Sequence, residues 1–513
     1  MKLADLTLFN SQAIRDIEAR VAVEHPGKNL MKKAGRATAI LAKQLIKKNS
    51  HPILMIAGPG NNGGDACATA ADLAKEGFQV IVILCADTDK YTENSKKFFE
   101  KALSRKVIFK SCDTLKSLLK QEFSLIIDGM FGIGLTRPIN GINKEVIITI
   151  NQYAKIRQVP ILSIDIPSGL HPDTGTIIAT EAEEGACIEA TCTLTFLGNK
   201  PGLYTADGKD YAGQVLISDL DVDATQRPDS NIILNDPTAF TFQLPRRKQN
   251  SHKGDFGQVL VIGGAKGMVG ASILAGRTAL YAGAGKTTLG FLSPTVSYDP
   301  LHPEIMCHDL ADIKLGSEVI VIGPGLGKTD AARHSLTRML QSDSRLVIDA
   351  DALNLISADQ ELQEYLKIRN AQSILTPHPL EAARLLQQTT KDIQSDRLSS
   401  ALSLAEQFKC TIILKGTGSI ICNQLCDLRI NTTGNAGLAT GGTGDVLAGL
   451  CGALMAQGLT SFDAAQLATW LHGAAADYLS KNGTGPIGMN PSELPEAIRH
   501  CLNVFAASQK EIS

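Results

Sequence analysis

One recurring unit constrains this chain more than any other feature: a short continuous apolar run, a loop rich in glycine or acids, then a helix-permissive stretch. In the first half the runs are Pro52–Ala57, Val80–Leu84, Ser124–Asp128 and Ile161–Asp165. In the second they are Val259–Ile262, Glu318–Ile322, Leu346–Asp349, Ser373–Leu375 and Thr411–Leu414. Unbroken apolar runs belong to strands buried on both faces, and such strands are parallel and joined by helices. The fold class is therefore α/β. Ahead of this rhythm, residues 10–48 read as two helices, with Gln12, Ile14, Ile17 and Val21 on one face. Thr193–Phe196 and Gln214–Ile217 close the first set of strands. The stretch that follows is polar, carries Pro228 and has no period. Residues 223–240 thus read as a linker between domains at 1–222 and 241–513. A chain of 513 residues has room for two or three domains. The glycine loops of the two halves do not match one another, which predicts two different α/β domains rather than a repeat.

Composition excludes several function classes. A net charge of −2 and 5% aromatic residues provide neither a basic field nor stacking platforms for nucleic acid. No apolar run reaches the roughly 18 residues of a membrane span. Residues 1–20 alternate in charge and lack an apolar core of signal length. The 11 cysteines are scattered, odd in number and without CxxC spacing, which predicts reduced thiols and a cytoplasmic location.

In an open parallel sheet, ligands bind beyond the C-terminal ends of the strands. The first half sends three groups of polar residues to that edge. Pro52–Ala57 runs into Gly58-Pro59-Gly60-Asn61-Asn62-Gly63-Gly64-Asp65, ahead of a helical run from Ala66 to Lys75. The spacing is not GxGxxG. The two amides suit a ligand's polar edge or, through their carbonyl oxygens, a hard cation; a plain turn rich in left-handed formers is the alternative. Ser124–Asp128 leads into Gly129–Leu135, and Ile161–Asp165 into Ile166-Pro167-Ser168-Gly169. Asp165 is a candidate proton-transfer group. Asn62, Asp128 and Ser168 are a candidate oxygen cage for a monovalent cation. Taken singly, each acid serves equally well as a helix cap or turn residue.

In the second half, Asn435-Ala436-Gly437-Leu438-Ala439-Thr440-Gly441-Gly442-Thr443-Gly444-Asp445 joins a β-like run, 428–430, to an apolar helical run, 446–455. Glycines allow close backbone approach, and unpaired N–H groups at a helix start favour anions. The loop reads as a phosphate cradle with one carboxylate at its lip. Asp445 is a candidate base for an attacking hydroxyl, or else an N-cap on an ordinary glycine-rich turn. Lys415-Gly416-Thr417-Gly418-Ser419 follows a strand, so Lys415 is either a phosphate contact or a solvated loop lysine. His378, between Pro377 and Pro379, is a ligand contact or a structural residue. Gly285-Lys286-Thr287 and Gly327-Lys328-Thr329 contain GK[ST], but Leu280 and Ile322 stand where a P-loop needs its first glycine.

Longer motifs resemble known families. GPGNNGGD, DGMFGIGL and DIPSGL in the first half resemble the NAD(P)H-hydrate epimerase domain. HKGDFGQVLVIGG, GPGLG, DADALN, TPHP, LKGTGS and NAGLATGGTGDVLAG in the second resemble the ADP-dependent NAD(P)H-hydrate dehydratase domain, which is ribokinase-like. Their order is that of the fused bacterial repair enzymes. The resemblance implies an N-terminal Rossmann-like three-layer sandwich and a C-terminal ribokinase-like three-layer sandwich.

It also implies roles. The hydrated cofactor would meet Asn61, Asn62, Gly63, Gly64 and Asp65, then Gly132, Ile133, Gly134, Leu135, Thr136, Arg137 and Pro138, with Asp165 as the proton-transfer residue. Asn62, Asp128 and Ser168 would hold potassium. In the second domain Ala271, Gly325, His378 and Asp445 would contact the hydrate, and Lys415, Gly416, Thr417, Gly418, Ser419 and Gly444 the nucleotide. Asp445 would take the proton of the C6 hydroxyl as it attacks the β-phosphoryl group of ADP, with magnesium accompanying the nucleotide. Hydrated NADH or NADPH and ADP are the implied partners, and a homo-oligomer is expected. Two residues depart from the family pattern: Leu380 replaces a glycine after TPHP, and Lys286 replaces an apolar residue. Two other functions fit parts of the chain. The second half suits a ribokinase-type small-molecule kinase, and the first a non-catalytic module like that of RNA-associated scaffold proteins.

Overall fold

The computed structural model of the chain describes residues 6–46, 51–87, 89, 91–292 and 296–509. The expected helices over 10–48 appear as Ser11–Glu24 and Leu30–Leu45. Residues 47 and 48, and the opening residues 1–5, lie outside the described range. The chain forms two compact units, Met1–Ile232 and Ile233–Ser513.

The first unit carries a seven-stranded sheet. Its strands are β1 (Ile53–Ala57), β2 (Val80–Leu84), β3 (Ile108–Ser111), β4 (Leu125–Gly129), β5 (Ile161–Ile164), β6 (Cys192–Phe196) and β7 (Gln214–Ser218). The order is β3-β2-β1-β4-β5-β6-β7, and every pairing is parallel. Successive side chains on a strand face opposite sides. Ile53, Met55 and Ala57 therefore join one core with the helices Ser11–Glu24, Leu30–Leu45 and Asn61–Lys75, while Leu54 and Ile56 join another with the helix Gly141–Arg157. That is a three-layer sandwich. The connection reverses between β1 and β4, so a switch-point crevice opens where Asn62 and Asp128 stand.

The second unit carries a ten-stranded sheet. Its strands are β8 (Ile232–Asn235), β9 (Gln258–Gly263), β10 (Lys286–Phe291), β11 (Met306–Asp309), β12 (Val319–Ile322), β13 (Leu346–Ile348), β14 (Ser373–Leu375), β15 (Thr411–Leu414), β16 (Ile420–Cys422) and β17 (Leu428–Asn431). The order is β11-β10-β9-β12-β13-β14-β15-β16-β17-β8, with its switch point between β9 and β12. The strands are parallel from β11 to β15; β16 and β17 extend the sheet antiparallel.

Two expectations change. Residues 223–240 are not a featureless linker. They hold two short turns, Ala224–Gln226 and Pro237–Ala239, and β8 between them. Asn235, within this stretch, is buried, and its amide donates to Asn431 Oδ1 and Gln466 O, both at 2.9 Å. The helix expected from Ala66 starts five residues earlier, at Asn61, so much of the first glycine loop is its first turn. In keeping with its missing P-loop glycine, the first GK[ST] segment is the start of a strand, with Lys286 opening β10.

Candidate active sites

At the first switch point the glycines separate into two groups. Gly63 and Gly64 are packing residues. A Cβ on Gly63 would sit 1.8 Å from Gly58 O, and one on Gly64 2.5 Å from Met31 Cε. Neither lines the cavity beside them. That cavity, of about 1090 Å³, is lined by Asn61, Asn62, Asp65, Gly132, Ile133, Gly134, Leu135, Thr136, Arg137 and Asp165. Pro138 instead lines a neighbouring cavity of about 950 Å³. The structure thus brings together the expected substrate residues except Gly63, Gly64 and Pro138.

Asp165 stands at the end of β5 with a left-handed backbone, φ 65°. A non-glycine residue held there is strained, and such strain collects at functional sites. Its Oδ1 accepts from Lys200 Nζ at 2.5 Å, Phe196 N at 3.1 Å and Thr195 Oγ1 at 3.3 Å. Lys200 is fully buried, and its ammonium also donates to Thr195 Oγ1 and Phe196 O. Around Asp165 stand Glu18 and Asp65. Burial first, then the charge of Asp165, raises the Glu18 carboxyl. Burial, Asp165 and Glu18 hold Asp65 well above the usual carboxylate range. Sequence reasoning missed Lys200 and Glu18. Glu18 did carry a signal, because it interrupts the face formed by Ile14, Ile17 and Val21.

Asp128 is completely buried, and all four of its hydrogen bonds come from uncharged donors. Ser168 Oγ and Met130 N donate to Oδ1 at 2.6 and 3.2 Å; Ser168 N and Ser163 Oγ donate to Oδ2 at 2.9 and 3.0 Å. Burial raises its pKa, partly offset by these bonds. Asn62 is buried with neither amide atom hydrogen-bonded among the described residues. A buried, unpartnered amide oxygen beside a buried carboxylate fits a cation.

In the second unit, the loop after β17 first makes a short turn, Ala436–Leu438, before the helix Thr443–Ala456 begins. Asp477 anchors it, accepting from Gly434 N at 2.8 Å and Asn435 Nδ2 at 2.9 Å. Gly442, at φ 102°, takes the N-cap position, so Asp445 lies inside the first helical turn and is not the cap. Beside Gly444 stand two groups from other strand ends: a Cβ there would lie 3.2 Å from Lys415 Nζ and 3.7 Å from Asp349 Oδ2. Lys415 Nζ donates to Asp349 Oδ1 at 2.8 Å and lies 3.9 Å from Glu381 Oε2.

This cluster has an excess of negative charge. Burial opposes the Lys415 ammonium, but Asp349, Glu381 and Asp445 outweigh it and raise its pKa. Burial, with Asp349 adding, pushes Asp445 up to about 7. Glu381 is likewise pushed up to about 7, chiefly by burial. The Lys415–Ser419 turn is closed by Ser419 Oγ donating to Gly416 O at 3.0 Å. Beneath it lies Arg397, 1% exposed, with its pKa pushed down to about 10 by burial. No sequence pattern marked Arg397.

His378 has a structural role. Its Nδ1 accepts from Leu380 N and Glu381 N, capping the helix Pro379–Leu386, while Glu381 Oε2 accepts from His378 N. Leu380 lies within the first turn of that helix and is 45% exposed, so the position imposes no need for glycine. Gly325, at φ 60°, lies against the loop after β9: Ala265 N donates to Gly325 O at 2.7 Å. Ala271 stands in the first turn of the helix Val269–Tyr281 that follows that loop.

Fold and sites together define a two-unit α/β enzyme, with an acid-lined cavity at one switch point and a phosphate-ready helix start facing a lysine in the other unit. Comparison with known proteins narrows this. Residues 27–202 match the family described as YjeF-related protein N-terminus, and residues 259–500 the family described as NAD(P)H-hydrate dehydratase. The chain is 33% identical to the bifunctional NAD(P)H-hydrate repair enzyme Nnr of Coxiella burnetii over 515 residues, covering 97% of this chain and 99% of that one. It is 34% identical to the Escherichia coli enzyme of the same name, covering 92% and 89%. Among solved structures, an ADP/ATP-dependent NAD(P)H-hydrate dehydratase from Bacillus subtilis is 31% identical, with a TM-score of 0.46, covering 51% of this chain and 95% of that one. The chain belongs to the bifunctional NAD(P)H-hydrate repair enzymes.

Proposed function

We propose that this protein restores hydrated nicotinamide cofactors, with the work divided between its units. The first unit interconverts the R and S hydrates of NADH and NADPH. The second dehydrates the S hydrate with ADP, releasing AMP and phosphate. The observation that carries the second half is the meeting of Asp445, the Gly444 backbone, Lys415 and Asp349 at a helix N-terminus.

A base with a pKa near the working pH is best matched to proton transfer. Asp445, pushed up to about 7, fits that requirement. It takes the proton from the C6 hydroxyl as the oxygen attacks the β-phosphoryl group. The unpaired N–H groups at the start of the helix Thr443–Ala456 and the Lys415 ammonium stabilise the charge of the transferring group. The ring nitrogen then expels the phosphate from C6, C5 gives up a proton to solvent, and the electrons of that C–H bond restore the C5–C6 double bond.

The excess of carboxylates around Lys415 fits a divalent cation, and Asp349 and Glu381 would hold the magnesium that accompanies the nucleotide. When bound, it supplies charge neutralisation on the phosphates. In the first unit, Asp165 transfers the proton, with Oδ1 fixed by Lys200. The buried Asn62 amide oxygen, Asp128 and Ser168 would hold potassium there.

The purified protein, given hydrated NADH and ADP, should regain the absorbance of NADH and release AMP with free phosphate. A stable phosphate ester as the product would instead identify a ribokinase-type kinase.

A further inference from the structure

Two thiols neighbour the first unit's cavity without a part in its proposed chemistry. Cys85 follows β2 and Cys112 follows β3, one residue beyond the registered pair Leu84 and Ser111. Neighbouring parallel strands lie about 4.8 Å apart, inside the roughly 4.4–6.8 Å Cα separation that a disulfide needs. Their Sγ atoms lie 3.6 Å apart. Reaching an S–S bond of about 2.05 Å takes a closure of about 1.5 Å, within the reach of side-chain rotation. Cys85 is buried and Cys112 half-buried, and both line the cavity of about 950 Å³ that also holds Pro59 and Arg137. Those last two residues also line the hydrate cavity.

We propose that Cys85 and Cys112 are a modification site, a dithiol that a hydroperoxide oxidises to a reversible disulfide. Cys112, the more exposed of the two, reacts first. The 3.6 Å contact with the Cys85 sulfur holds Cys112 below the ordinary thiol value, while the same contact and burial raise Cys85. The Cys112 sulfur attacks the peroxide, the O–O bond breaks, and a sulfenic acid forms as the alcohol or water leaves. The Cys85 sulfur then attacks the sulfenic sulfur, the S–S bond forms, and water leaves with the Cys85 proton. Two thiols lose two electrons and two protons, and the peroxide takes up both.

The test uses the full chain and hydrogen peroxide, with peptide mapping before and after dithiothreitol. A Cys85–Cys112 cross-linked peptide should appear and should vanish on reduction. In Cys85→Ser, Cys112 should accumulate as a sulfenic acid trapped by dimedone. In Cys112→Ser, Cys85 should stay reduced. The exposed Cys426 serves as the internal reference. Complete oxidation of Cys426 with Cys85 and Cys112 both still thiols overturns the proposal. So does direct conversion of wild-type Cys112 to sulfinic acid without a cross-link. Should either variant fail to fold, the wild-type map decides alone.

Discussion

Lys200 Nζ donates to Asp165 Oδ1 at 2.5 Å across thirty-five positions of sequence. That contact commits one oxygen of the first unit's candidate acid–base residue to a buried cation. Hydrogen bonds to charged groups contribute about 1.5–3 kcal/mol, roughly ten- to a hundredfold in a rate that depends on them. Lys200→Met should therefore slow use of the R hydrate by about that factor while leaving S-hydrate dehydration near wild type. Lys200→Arg should retain part of the activity. Equal losses for both hydrates would show a general folding defect instead.

Glu381 links stability to pH. Its folded-state pKa, pushed up to about 7 from 4.5, means that the folded chain holds this proton more tightly than the unfolded chain. Stability contributed at low pH is therefore lost as pH rises from about 4.5 through about 7. At about 1.4 kcal/mol per unit the loss reaches at most about 3.5 kcal/mol. Glu381→Gln removes the charge and keeps an oxygen for His378 N. The variant should melt higher than wild type at pH 8 and no higher at pH 4, by calorimetry at both values. A gain at pH 4 as large as at pH 8 would contradict the assignment.

Much of this was legible in the sequence, and the omissions have physical causes. Val80–Leu84 and Thr411–Leu414 were read to the residue, because a strand buried on both faces has no polar position to blur it. β3, Ile-Phe-Lys-Ser, is short, lies at the sheet edge and is largely exposed, so it carries no such signature. The site motifs on the strand ends were visible because glycine, asparagine and aspartate cluster there. Lys200 and Arg397 were not, since a buried basic residue looks like any other until its distant partners are known. Lys415 is legible as a phosphate contact or a loop lysine; its partner Asp349, sixty-six positions away, is not.

Turnover in the second unit should depend on pH, with Asp445 as the proposed base. With its pKa pushed up to about 7, the base form is the minor species at pH 6 and the major one at pH 8. S-hydrate dehydration at saturating ADP should rise with pH and level off above about 8. A profile flat from pH 5.5 to 8.5 would remove Asp445 as the titrating base.

The potassium proposed at Asn62 predicts an effect on melting. Potassium should raise the melting temperature of the wild-type protein relative to tetramethylammonium at equal ionic strength, since a ligand bound only by the folded state stabilises it. Asn62→Ala, which deletes the unpartnered amide oxygen, should shrink that difference. An unchanged difference would place any potassium effect elsewhere.

In the proposed function Asp445 assists a phosphoryl transfer in the second unit, independently of the chemistry at Asp165 in the first. The most direct measurement supplies pure S hydrate and ADP to the wild type, Asp445→Asn and Asp165→Asn, and follows NADH absorbance together with AMP and phosphate. Wild type and Asp165→Asn should form all three products at similar rates, and Asp445→Asn should form them at least a hundredfold more slowly. Wild-type turnover by Asp445→Asn, or loss of S-hydrate turnover in Asp165→Asn, would contradict it.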